Sequence, residues 1–169
     1  MNYDLHPIFV HFPIAFFLLY SFLRVFPWSK KLPVTNWQLP RIVLLIAGLL
    51  GAWVANTTGE IASDLNQPDH NLVEMHEWFA GAATNTFFIL LILEIISWLP
   101  EKIFNHPSLA TIKNILLHFQ KIISKRFFFI VLSIIGAVLI AMTGLLGGVM
   151  VYGTKADPLA APVLKLLGL

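Results

Sequence analysis

Long apolar runs separated by short polar stretches set the pattern of the chain. Four runs stand out, at residues 7–26, 39–55, 77–99 and 127–152. Each is close to the roughly 20 residues an α-helix needs to cross a hydrocarbon core about 30 Å thick. An isolated strand in lipid would leave its backbone groups unpaired, so the runs predict four membrane-spanning helices. Residues 108–125 follow a different pattern. Leu109, Ile112, Leu116 and Phe119 recur at helical spacing, with Lys113, Gln120 and Lys121 on other faces. That predicts an amphipathic helix lying on the membrane surface. The expected fold is all-α: one integral membrane four-helix bundle over residues 1–169, with an amphipathic surface helix between helices three and four.

Charge gives this bundle an orientation. Arg24, Lys30, Lys31 and Arg41 cluster around the junction of runs one and two, and Lys102, Lys113, Lys121, Lys125 and Arg126 separate runs three and four. Between runs two and three stand Glu60, Asp64, Asp69 and Glu74, with no lysine or arginine. The positive-inside rule places the acidic stretch and both termini outside. Trp28, Trp37 and Trp98 then mark the inner interface, and Trp53 and Trp78 the outer one.

Composition agrees: 57% of the residues are hydrophobic and 12% charged, against about 25% charged in soluble domains. A net charge of +2 gives no footprint for nucleic acid. The absence of cysteine excludes disulfides, thiolate clusters, a Cys-x-x-Cys-His haem attachment and a cysteine nucleophile. No basic region precedes the first run and no small-residue cleavage site follows it, so that run reads as a retained helix. No Gly-rich phosphate loop or nucleophile elbow occurs, and no enzyme activity is assigned. Charged residues do not line the middle of any run on this reading, which leaves a channel or proton-coupled carrier little support. The chain is also short for the paired repeats of most transporters.

The candidate chemistry lies at the outer face. His6, His11, Glu60, Asp64, Asp69, His70, Glu74, His76 and Glu77 all fall there in this topology. Histidine in a membrane segment is costly and points to function by default. Pro7 suits the first position of a helix, which makes His6 a cap residue and sets His11 one turn inside. At 100° per residue the two lie about 140° apart. Pro13 removes the hydrogen bond to the Phe9 carbonyl and kinks the helix there. His76 opens the third helix, with Ala80 and Ala83 beneath it. His106 and His118 belong to the inner region and read as surface residues.

Three readings follow. Two neutral imidazoles from facing helices hold a b-type haem, with His11 and His76 as the axial pair. Alternatively His6, His11, Glu60, His76 and Glu77 supply a mixed shell for a zinc or non-haem iron ion. No Glu-x-x-His pair or His-Glu-x-x-His run is present to strengthen that version. In the third reading the cluster is a hydrogen-bond network that fixes helix registry in a structural or accessory subunit. Small residues gather in the outer halves of the helices (Gly48, Gly51, Ala52 and Ala55; Ala80, Gly81, Ala82 and Ala83; Gly144, Gly147 and Gly148). They serve close packing, or they leave room for a cofactor.

Four blocks carry a family resemblance: His6-Pro7-x-x-Val10-His11-Phe12-Pro13-Ile14-Ala15, Thr58-Gly59-Glu60-x-Ala62, Glu74-x-His76-Glu77, and Gly144-x-x-Gly147-Gly148-x-x-Val151-Tyr152-Gly153. In that order they resemble a bacterial family of small predicted membrane proteins catalogued as domain of unknown function 2231. The resemblance implies a four-helix domain in the bacterial inner membrane, with the lipid bilayer as its surroundings. It marks His6, His11, Glu60, His76 and Glu77 as motif positions. Some relatives are fused to cytochrome-type domains, which implies electron transfer with redox partner proteins or within a larger membrane complex. Two departures stand out: Val149 replaces the glutamate after the Gly-Gly pair, and the Arg-His after the tyrosine is missing.

Overall fold

The computed structural model describes residues 5–26, 37–98, 121, 126–155 and 157–169. The surface helix expected at 108–125 lies outside them, Lys121 excepted, as do His106 and His118. The described residues form α1 (His6–Phe9), α2 (His11–Val25), α3 (Gln38–Asn66), α4 (His70–Trp98), α5 (Arg126–Tyr152) and α6 (Ala160–Leu167). Four segments are long and apolar enough to cross a membrane: α1 with α2, then α3, α4 and α5. The protein is therefore a multi-pass membrane protein. In the bundle, α2 and α4 each pack against both α3 and α5.

The first span divides at Val10, within the turn that lacks the N–H of Pro13. It ends at Phe26, whose extended backbone (φ −80°, ψ 143°) is what a residue before a proline prefers. The second and third helices run well past their apolar stretches. Each has 29 residues, about 43 Å at 1.5 Å per residue, so turns of each project beyond a core of about 30 Å. The expected acidic loop is thus mostly helix. Hydropathy stops where lipid stops, but the backbone hydrogen bonds continue until a cap ends them. That cap is Gln67, in the left-handed region at φ 45°. Asp69 Oδ1 then accepts the N–H groups of Asn71 at 3.0 Å and Leu72 at 3.2 Å, starting α4.

At the far end of α5, Gly153 takes φ 75° and donates its N–H to the Val149 carbonyl at 2.8 Å, the left-handed stop that glycine allows. The chain then returns as α6, which the hydropathy runs did not single out. Ala160 and Leu164 of α6 pack on Leu146 and Val149 of α5 and on Leu72, Met75 and Phe79 of α4. Val149, where the family pattern has glutamate, is therefore a core residue here.

The centre of the bundle is a stack. Phe17 and Phe87 lie parallel, with ring centroids 4.1 Å apart. Gly48 of α3 backs Phe17: a Cβ there would sit 2.5 Å from its ring. Gly136 of α5 backs Phe87 in the same way, at 2.8 Å. Two glycines thus bracket two phenylalanines and bring all four spans together. Between helices in lipid, where apolar transfer gives little drive, such contact is the main source of association. These glycines serve packing. Gly81, Gly144 and Gly148 have no atom within 4 Å of a notional Cβ and face open space.

Candidate functional site

Polar groups collect at both ends of the bundle. At the end holding the α3–α4 turn, the break in the first helix sends His6 and His11 to different faces. His6 turns to α3, where its Nδ1 lies 3.1 Å from Thr58 Oγ1. The ring rests against Gly59, whose notional Cβ would be 3.1 Å from His6 Cε1. His11 is exposed, and its Nδ1 bonds to the Pro7 carbonyl of its own span. His76 reaches from α4 to α5. Its Nδ1 is 3.0 Å from the Thr143 carbonyl, and its ring lies against Gly147. His6 is close enough to His76 for the two rings to interact electrostatically.

The partners decide where the imidazole protons sit. A carbonyl only accepts, so Nδ1 carries the proton in His11 and His76. Thr58 commits its single hydroxyl proton to backbone carbonyls, with Val54 O at 3.1 Å and Ala55 O at 3.0 Å. It therefore accepts from His6 Nδ1–H. With Nδ1 donating, the lone pair of each ring falls on Nε2. A metal-binding histidine is usually prepared in this way, with the other nitrogen held by a protein acceptor. Imidazole 15N spectra of the detergent-solubilised protein test the assignment. The three rings should show the Nδ1–H tautomer at a pH where they are neutral, and Thr58→Val should release His6 alone. An Nε2–H tautomer at His76 would refute it.

The remaining candidates stay apart. Glu60 and Glu77 are exposed on α3 and α4, and Asp64, Asp69, His70 and Glu74 are exposed as well. Among the described residues, no group of three or more His, Asp or Glu could hold a metal ion. The five-residue set expected for zinc or iron is not gathered. His76 and His6 lie within electrostatic range of each other, while His11 is exposed. The signal for His6 lay in the sequence: the Thr58-Gly59 block supplies both its hydrogen-bond partner and the surface it rests on.

The opposite end holds a group that hydropathy concealed. Glu94 lies inside the third apolar run, and its side chain is fully buried. The Nε atoms of Arg41 and Arg24 approach its Oε1 at 3.2 and 3.6 Å. The Tyr20 hydroxyl donates to the same oxygen at 3.2 Å. Gln38 Nε2 donates to the Glu94 carbonyl at 3.0 Å and to Ser97 Oγ at 2.8 Å. The Arg24 guanidinium also sits 3.8 Å above the Phe129 ring. Arg24 and Arg41, read from sequence as loop charges, are helix residues turned inward. All three charged side chains lie towards the ends of their runs, so none lines the middle of a run, yet they meet inside the bundle. Eighteen residues separate His76 from Glu94 on α4, about 27 Å along its axis, so the two polar groups are separate sites.

No match was found among curated proteins or among solved structures. A match does exist at the level of the family described as predicted membrane protein (DUF2231). It extends over residues 2–157 and takes in all four spans and both polar ends, and the chain belongs to that family.

Proposed function

We propose that the histidine end binds a b-type haem through Nε2 of His6 and His76, and that the protein carries single electrons in the membrane. The observation behind this reading is the way the two rings are held. Two imidazoles from different helices, near enough for their charges to interact, each have Nδ1 held by a neighbouring helix. The number of ligands favours haem over a bare ion. A zinc or non-haem iron site needs about three or more protein ligands. A porphyrin supplies four of its own, so two histidines suffice. Gly59 and Gly147 let both rings lie against helix backbone, where a side chain would displace them.

One observation favours a second reading. Both Nδ1 bonds cross between helices, His6 to α3 and His76 to α5, which is what a purely structural pair would do. An absorption spectrum of protein made with ample haem supply separates the two. The haem reading expects a Soret band, with sharp α and β bands after dithionite. A flat spectrum would overturn it and leave the accessory-subunit reading.

A further inference from the structure

A groove of about 350 Å³ runs between α2 and α5 on the outside of the bundle. It stretches from Phe26 and Val25 to Leu18 on one wall and from Ser133 to Ala141 on the other. Eight residues of helix make it roughly 12 Å long, pointing from the basic end towards the middle of the bundle. Its hollow exists because Ala137 and Ala141 are small where their neighbours are large. Its surface is apolar: the hydroxyl of Ser21 is committed to the Ser133 carbonyl at 3.2 Å. The Ser133 hydroxyl is fully buried.

The mouth of the groove is positive. Arg126 is exposed there, and its Nη2 is tied to the carbonyl of Val25, itself a lining residue, at 3.2 Å. Behind it stand Arg24 and Arg41, against the single carboxylate of Glu94. An apolar groove with an exposed cation at its interfacial end matches one chemistry, an acyl chain beneath an anionic headgroup.

We propose that this groove seats one acyl chain of an anionic phospholipid, with its phosphate against Arg126. The full chain, purified in mild detergent, is offered phosphatidylglycerol or phosphatidylcholine of identical chains and weighed by native mass spectrometry. Wild type should retain phosphatidylglycerol about fivefold better, the order expected for one arginine near the surface. Added salt should narrow that ratio. Arg126→Gln keeps a donor for Val25 and should bring the ratio near one. Arg126→Lys should preserve it. Ala137→Phe, which fills the hollow, should abolish retention of both lipids. Equal retention of the two lipids by wild type, or a preference that survives Arg126→Gln, would overturn the proposal. So would an Ala137→Phe variant that turns dimers into monomers while lipid retention is unchanged, because the occupant would then be a second copy of the chain.

Discussion

Glu94→Gln should lower the stability of the bundle by about 3–5 kcal/mol, the range for removing one partner of a buried ion pair. Glu94 is fully buried, and Arg24, Arg41 and Tyr20 converge on its Oε1 from α2 and α3. The amide keeps the volume but leaves two arginines without a counter-charge in a poorly solvated place. Tyr20→Phe removes a single hydrogen bond and should cost only about 1 kcal/mol. Replacing the whole set by apolar residues (Glu94→Leu, Arg24→Met and Arg41→Leu together) should recover most of the loss, because no charge is then buried. Unfolding midpoints in sodium dodecyl sulfate, followed by circular dichroism in mixed micelles, read all three. If Glu94→Gln unfolds where wild type does, the ion pairs do not hold α2, α3 and α4 together.

Gly48→Ala should be the most damaging single methyl group in the chain, costing about 1–3 kcal/mol as an overpacking change. Its Cβ would stand 2.5 Å from the Phe17 ring. The ring cannot retreat, because it is stacked on Phe87 and Phe87 is backed by Gly136. Gly136→Ala should act from the other side, more mildly, with 2.8 Å to Phe87. Adding Phe17→Leu to Gly48→Ala should relieve part of the strain, a coupling on the order of 0.5–3 kcal/mol. Gly81→Ala is the control. Nothing lies near its Cβ, so better helix propensity should make it neutral or stabilising by about 0.5–1 kcal/mol. The same assay decides. Equal midpoints for Gly48→Ala and Gly81→Ala would contradict the stack.

The two polar ends were legible to different degrees. The spans followed directly from the apolar runs, because crossing lipid demands length and hydropathy together. Helix ends did not, since α3 and α4 continue into water until Gln67 and Asp69 stop them. The short α6 carries too few residues to register as a run, although Leu159, Val163 and Leu167 repeat at helical spacing. His6, His76, Thr58, Gly59 and Gly147 all belong to the motif blocks, so the residues of the histidine end were visible. Their pairing was not. A helical wheel sets His6 and His11 about 140° apart but gives no neighbour to either, and which one turns to Thr58 depends on how α1 leans on α3. Glu94 was hidden for another reason. One acid in a strongly apolar stretch barely moves a hydropathy average, and its arginines lie in other helices.

A hemin titration of wild type, His6→Ala, His11→Ala and His76→Ala tests the central claim most directly. The proposed haem site at His6 and His76 predicts a low-spin bis-histidine spectrum in wild type and in His11→Ala. It predicts loss of that spectrum in both His6→Ala and His76→Ala, with unfolding midpoints kept near wild type. A wild type that binds no hemin, or a spectrum lost with His11 and kept without His6, would contradict the account.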